Sequence, residues 1–215
     1  KKLKEILSED TPNPRYMPTR QFCDGSYDWT LRHNEVMRQN RTADPEILMI
    51  GNSITHGWQW DASWEKMFKG HRVTNMGFGS DRIENVYWRI FHGELEGCKP
   101  STICLQIGIN NLAKGEREED IAGGIVALSA LIRQRQPQAR LCVIKVYPCK
   151  GMEEKVARLN DCLQQLLPQD AHTVLLDANA VLLRKDNSGK IDETLFRDGV
   201  HPNGIGYKLL AKQLK

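Results

Sequence analysis

Glu46-Ile47-Leu48-Met49-Ile50-Gly51-Asn52-Ser53-Ile54-Thr55 decides the fold: four apolar residues in a row run into a glycine, and a serine follows where a helix can start. A short unbroken apolar run closed by a turn residue suits a strand covered on both faces, the kind found in parallel sheets flanked by helices. Similar runs recur at 71–75, 102–107, 140–146 and 173–176. Between them, segments 60–68, 82–91, 118–136, 153–167 and 204–215 carry the spacing of apolar residues expected of helices. Gly123-Gly124 interrupts the third of these, yet Ile121, Ile125, Leu128, Leu131 and Ile132 keep an apolar stripe. Strands alternating with helices predict an α/β fold, a three-layer α/β/α sandwich around a five-stranded parallel sheet.

Upstream the texture differs. Residues 1–45 carry Pro12, Pro14, Pro18 and Pro45 and one polar, aromatic stretch at 27–38 that suits a single helix. The sequence predicts an N-terminal extension, 1–45, packed on one domain that spans 46–215. The whole chain of 215 residues, 40% hydrophobic, is long enough to bury one full core.

Thirty Lys and Arg against 27 Asp and Glu leave a net charge of +3. The basic residues are scattered rather than striped, which argues against nucleic acid as a partner. No apolar run approaches the roughly 20 residues that span a bilayer, so a soluble protein with no integral membrane segment is expected. The chain opens on Lys1-Lys2 without an initiator Met, as a processed precursor or trimmed chain would. The compartment stays open, a periplasmic or secreted location being favoured over the cytoplasm. Six cysteines form no Cys-x-x-Cys pair, which predicts inert buried thiols rather than a metal site, with Cys142 and Cys149 as one pair able to meet in space.

In doubly wound sheets chemistry collects in the loops beyond the carboxyl ends of the strands. The loop after the first strand holds Ser53, the second holds Gly77 to Asp81, and the third holds Gly108-Ile109-Asn110-Asn111. A serine at a strand-to-helix turn sits in the positive field of a helix N-terminus, which favours developing negative charge; an ordinary helix cap reads the same way. Asp198 and His201 stand three residues apart, so one turn can place the carboxylate against the imidazole. Asn110 offers a side-chain amide for an oxyanion, or is chosen only for its tolerance of turns. His56 and Asn52 are candidate substrate contacts beside Ser53. Trp58, with Trp60 and Trp64, can stack on a sugar ring, though packing is the commoner use of such tryptophans. The glycines after the first two strands do not make the Gly-x-Gly-x-x-Gly turn of dinucleotide-binding proteins. Thr55 replaces the second glycine of a Gly-x-Ser-x-Gly elbow, so the α/β-hydrolase pattern fits poorly.

These segments together resemble the GDSL or SGNH hydrolases, whose four blocks supply Ser, Gly, Asn and His in order. Residues 51–55, 75–81, 108–111 and 198–201 match the blocks in that order, and the stretch 75–100 is similar to the catalytic subunits of platelet-activating-factor acetylhydrolase. The resemblance covers 46–215 and implies a flavodoxin-like SGNH hydrolase fold. It implies Ser53 as nucleophile, His201 as general base, Asp198 as its orienting partner, and Ser53, Ser80 and Asn110 as the oxyanion hole. No metal or cofactor is required by that chemistry. The expected substrate is a short-chain ester, acetyl above all, of a small molecule or carbohydrate, cleaved through an acyl-enzyme, and a homodimer is an expected assembly. The alternatives are a lysophospholipase or thioesterase acting on longer chains, and a catalytically silent glycan-binding domain. Two positions depart from the pattern: Asn52 stands for the usual Asp, and Ser80 for a Gly, which costs roughly 1 kcal/mol or more if its φ must be positive.

Overall fold

The computed structural model describes residues 16–21 and 26–215. Five strands, β1 (Ile47–Gly51), β2 (Val73–Gly77), β3 (Thr102–Gln106), β4 (Arg140–Ile144) and β5 (Thr173–Leu176), form one parallel sheet in the order β2-β1-β3-β4-β5. Eight α-helices complete the described chain: α1 (Trp29–Thr42), α2 (Ser53–Trp58), α3 (Ala62–Met67), α4 (Ile83–Phe91), α5 (Ile109–Ala113), α6 (Glu118–Arg135), α7 (Glu153–Leu166) and α8 (Gly204–Leu214).

Side chains alternate across the sheet, so each strand feeds two cores. Leu48, Ile50, Ile103, Leu105, Leu141 and Val143 join a buried cluster with residues of α1, α4, α6 and α7. Met49 and Ile144 join a second cluster with α2, α3 and α8. This is the predicted three-layer sandwich. Trp29 and Val36 of α1 lie inside the larger cluster, so the described part of the N-terminal segment contributes to the core itself. The rest of that segment, 1–15 and 22–25, lies outside the described residues.

Several boundaries differ from expectation for local reasons. The strand expected at 140–146 ends at Ile144 because both backbone groups of Val146 bond the Asn160 side chain, at 2.9 Å each, instead of a neighbouring strand. The helix expected at 60–68 begins only at Ala62, since Asp61 caps its start by accepting from the Ser63 amide at 2.8 Å, which leaves Trp60 in the turn after α2. The Asn110-Asn111 turn is a short helix, α5, held by Asn111 Oδ1, which accepts from the Ile83 amide at 3.0 Å. The second glycine of the pair inside α6 also has a cause: a side chain at Gly124 would collide with the Tyr16 ring. Acidic residues in its first turn and Arg133 and Arg135 in its last complement the helix dipole.

Cys142 faces Cys104 across the β3–β4 pairing rather than Cys149, and all three are free thiols. Among the described residues, no helix is long and apolar enough to cross a membrane.

Candidate active site

β1 lies between β2 and β3 with Gly51 level with Gly77 on one side and Gln106 on the other, so the loops after these three strands leave one edge of the sheet together. Connections run to opposite sides of β1, which makes this the switch point where parallel sheets open a crevice. The first two loops are pressed close: a side chain at Gly77 would collide with the His56 amide nitrogen.

Ser53 is the first residue of α2, and Asn52 caps that helix by accepting from the Ile54 amide at 3.0 Å. The Ser53 Oγ lies 2.9 Å from His201 Nε2, bridging 148 positions of sequence. His201 Nδ1 lies 2.6 Å from Asp198 Oδ2, and Asp198 Oδ1 accepts from the Val200 and His201 amides at 2.9 and 2.8 Å. Partial burial raises the Asp198 carboxyl, but the bonds from the His201 amide, its imidazole and the Val200 amide outweigh that and hold it at about 2. An ionised Asp198 accepts a hydrogen bond from the protonated Nδ1, which leaves Nε2 as the acceptor for the serine hydroxyl. That is the geometry of a nucleophile activated by an oriented base.

The other expected residues fall in different places. Asn110 is half-buried and donates from Nδ2 to the Asp81 carbonyl at 2.9 Å, which fixes its amide and leaves a second N–H. Ser80 is exposed with φ of 65°, so the non-glycine residue does adopt the left-handed conformation. His56 is buried, and its Nδ1 accepts from the Gly79 amide at 3.2 Å, putting the ring proton on Nε2. Burial, reinforced by the charges of Arg32 and Arg89, lowers His56 to about 4, so it is a neutral donor at ordinary pH.

Two of the expected substrate contacts are core residues instead. Trp58 is 1% exposed, stacks on Tyr207 and donates to Ser63 Oγ at 2.9 Å. Asn52 is fully buried beneath Ser53, where its short polar side chain caps α2.

A cleft of about 550 Å³ opens on Ser53, His201 and Asp198. Rings of Tyr27, His56 and Trp60, the guanidinium of Arg197, Ser26, Gly57 and Gly79 complete its walls; among the described residues, no Leu, Ile, Val or Met lines it. Trp60 is the one of the three tryptophans that reaches the cleft, 73% exposed, because it occupies the α2–α3 turn. Tyr27, which bonds the Gly79 carbonyl at 2.8 Å, and Arg197 escaped the sequence reading. Arg197 stands next to Asp198 in sequence, which was the available signal; for Tyr27 nothing in its surroundings gave one.

Beneath the second loop lies a buried charged chain. Asp81 accepts from Trp29 Nε1 at 2.7 Å and Arg89 Nε at 2.9 Å; Arg89 also donates to Glu94 at 2.6 Å, and Glu94 meets His33 Nδ1 at 2.7 Å. Arg32 adds bonds to the Gly77 and Asn75 carbonyls at 2.8 and 3.1 Å. The described N-terminal helix thereby fixes the loop that carries Gly79 and Ser80.

A sequence profile of the GDSL-like Lipase/Acylhydrolase family matches residues 49–209. The chain is 32% identical to platelet-activating factor acetylhydrolase IB subunit alpha2 of Homo sapiens over 97% of its own length and 91% of the relative's. It is 30% identical to the alpha1 subunit of Pongo abelii, over 94% and 88%. The similarity therefore extends through the N-terminal residues that the four blocks leave out. A Streptococcus pneumonia structure superposes with a TM-score of 0.74 at 19% identity, covering 86% of this chain and 90% of that one. A GDSL-like lipase from Bacteroides thetaiotaomicron superposes at 0.66 with 17% identity, covering 86% and 94%.

Proposed function

Because the chain belongs to the GDSL-like lipase/acylhydrolase family and is a carboxylic ester hydrolase, we propose that it removes short acyl groups, acetyl foremost, from a small-molecule or carbohydrate ester through an acyl-enzyme on Ser53. The observation that carries the finer reading is the lining of the cleft. Among the described residues its rings, glycines and charged groups offer no aliphatic channel for a long chain, and a buried alkyl chain draws its affinity from apolar area. The acetyl ester named in the mammalian relatives agrees with this.

The Ser53 hydroxyl attacks the carbonyl carbon while His201 Nε2 takes its proton, and the Asp198 carboxylate stabilises the imidazolium that results. Backbone N–H groups of Ser53 and Ser80 and the free N–H of Asn110 receive the oxyanion. His201 returns the proton to the departing alkoxide, and water then cleaves the acyl-serine with His201 again as base.

Ser53→Ala is expected to lower kcat on p-nitrophenyl acetate by about 10⁴-fold or more, as loss of a nucleophile does in acyl transfer. Activity within about tenfold of the parent would overturn the assignment. A series of p-nitrophenyl esters should show kcat/KM falling sharply beyond propionyl, whereas sustained activity on long chains would favour a lysophospholipase or thioesterase.

A further inference from the structure

We propose that Arg197 and Trp60 form a subsite for the alcohol half of the ester, and that it selects an alcohol presenting a ring face together with an anionic substituent, as an O-acetylated acidic sugar does. The subsite has meaning only if Ser53 is the acyl acceptor proposed above, and it extends that reading to the part of the substrate that leaves.

Arg197 is held in register with the catalytic groups. Its amide donates to the His201 carbonyl at 2.9 Å, and its neighbour Phe196 pairs with Pro202, so the loop 196–202 is pinched shut around Asp198 and His201. The guanidinium extends over Gly57, with one terminal nitrogen 3.8 Å from where a Cβ would stand. A larger residue at Gly57 would crowd it. Arg197 makes no side-chain hydrogen bond or ion pair among the described residues. The two acidic side chains that share its walls are already engaged: Asp198 by His201 and two amides, and Asp61 by the Ser63 amide at the start of α3. A cation beside a catalytic pair, with its neighbouring carboxylates committed elsewhere, is available to an incoming anion.

Trp60 supplies the second element. This protein buries Trp29, Trp58 and Trp64 to 8% exposure or less, yet leaves the Trp60 indole 73% exposed. The indole lies 5.0 Å from the His56 ring, and Tyr27 meets that ring edge-on from 4.9 Å. The cleft holding Ser53 and a smaller one of about 220 Å³ share Gly57, Trp60 and Arg197. Indole and guanidinium therefore stand where the first cleft passes into the second, which leaves room for an alcohol larger than the acyl group. An exposed ring face suits the C–H face of a sugar, and a planar fork of N–H donors suits a carboxylate or phosphate. His56, a neutral donor lining the same cleft beside Trp60, adds a hydrogen bond without an opposing charge.

Three acetyl esters that differ in one substituent test this: a monoacetylated methyl glucuronoside, the methyl glucoside acetylated at the same hydroxyl, and its 6-phosphate. The intact protein should prefer the charged esters by about tenfold in kcat/KM, the scale of a charge-assisted bond in a half-open site, with the difference in KM. The larger of the two charged-ester preferences identifies the anion as carboxylate or phosphate. Arg197→Gln should bring the ratio of charged to neutral ester to within about twofold of one, and Arg197→Lys should keep part of it. Trp60→Ala should weaken all three sugar esters in parallel and leave the ratio alone. Since the cation is exposed, the preference of the unsubstituted protein should also shrink in about 0.5 M NaCl, a readout that stands even if a variant fails to fold. Equal kcat/KM on charged and neutral esters, a ratio untouched by Arg197→Gln, or a preference indifferent to salt overturns the subsite while leaving the esterase intact. Failure to hydrolyse any acetyl ester overturns the esterase reading itself.

Discussion

Asp198 and Asp81 each hold a basic side chain within 3 Å, and they come out on opposite sides of their ordinary range. Asp198 is 54% exposed, meets His201 at 2.6 Å and accepts two further backbone bonds; it stays near 2. Asp81 is fully buried between Trp29 and Arg89, and burial raises its carboxyl to about 7 against the pull of that guanidinium. The difference lies in water rather than in the partner. An exposed carboxylate keeps its charge cheaply and three donors hold it down, whereas a buried one loses more in hydration than a single shared cation restores. Arg89 must serve Glu94 as well, and its own protonation is protected because the two acids outweigh the effect of burial. The exposed pair stands open to the cleft, while the buried chain serves to hold α1 and the second loop in place.

The largest expected effect separates the two regions by function. Asp198→Asn should turn an N–H donor toward His201 Nδ1 and favour the wrong tautomer, lowering kcat by about 10³ to 10⁴-fold. Its melting temperature should barely move, because exposed ion pairs contribute little stability. A stability loss as large as the activity loss would show that Asp198 is structural after all.

Arg89→Met should do the reverse in kind, leaving Asp81 and Glu94 as uncompensated buried acids and destabilising the fold by roughly 3 to 5 kcal/mol in urea unfolding. A change below about 1 kcal/mol would mean that water reaches the cluster.

Asp81→Asn sharpens the contrast through pH. With the folded carboxyl near 7 and the unfolded one near the ordinary 3.8, the folded chain binds the extra proton between these values. The contribution of Asp81 to stability is present below the unfolded value and is lost as pH rises through about 7. The stability of Asp81→Asn relative to the parent should therefore grow from pH 4 to pH 7 in urea titrations and level off above. A flat difference would place the Asp81 carboxyl at an ordinary value.

The smallest effect concerns the strained residue at the second loop. Ser80→Gly should relieve the positive φ of 65° and stabilise the protein by roughly 0.5 to 1 kcal/mol, with esterase activity retained because the oxyanion donor proposed there is a backbone N–H. Loss of activity would assign a role to the Ser80 hydroxyl.

The strands were legible because apolar runs such as 47–50 are local facts, and β5 lies on the residues expected of it. Their ends were less so, since Asn160 closes β4 from a helix distant in sequence. The family blocks pointed to Ser53, Asp198, His201 and Asn110 as a set, and the structure brings the first three into one hydrogen-bonded chain. Trp58 and Trp60 show the limit: two residues apart in the same polar stretch, one is core and the other walls the cleft. Helix spacing alone cannot separate them, because the break at Asp61 decides which way each points.

By itself, then, the sequence determined the α/β class and the five strands, which depend on short-range pattern, and through its resemblance to the family the order of the four blocks. Only the tertiary structure decided that Ser53 stands 2.9 Å from a histidine 148 positions away, that an N-terminal helix anchors the second loop through a buried charged chain, and that Arg197 faces the cleft beside Trp60. Those outcomes depend on which groups lose water together when distant segments pack, a property that no single stretch of chain carries.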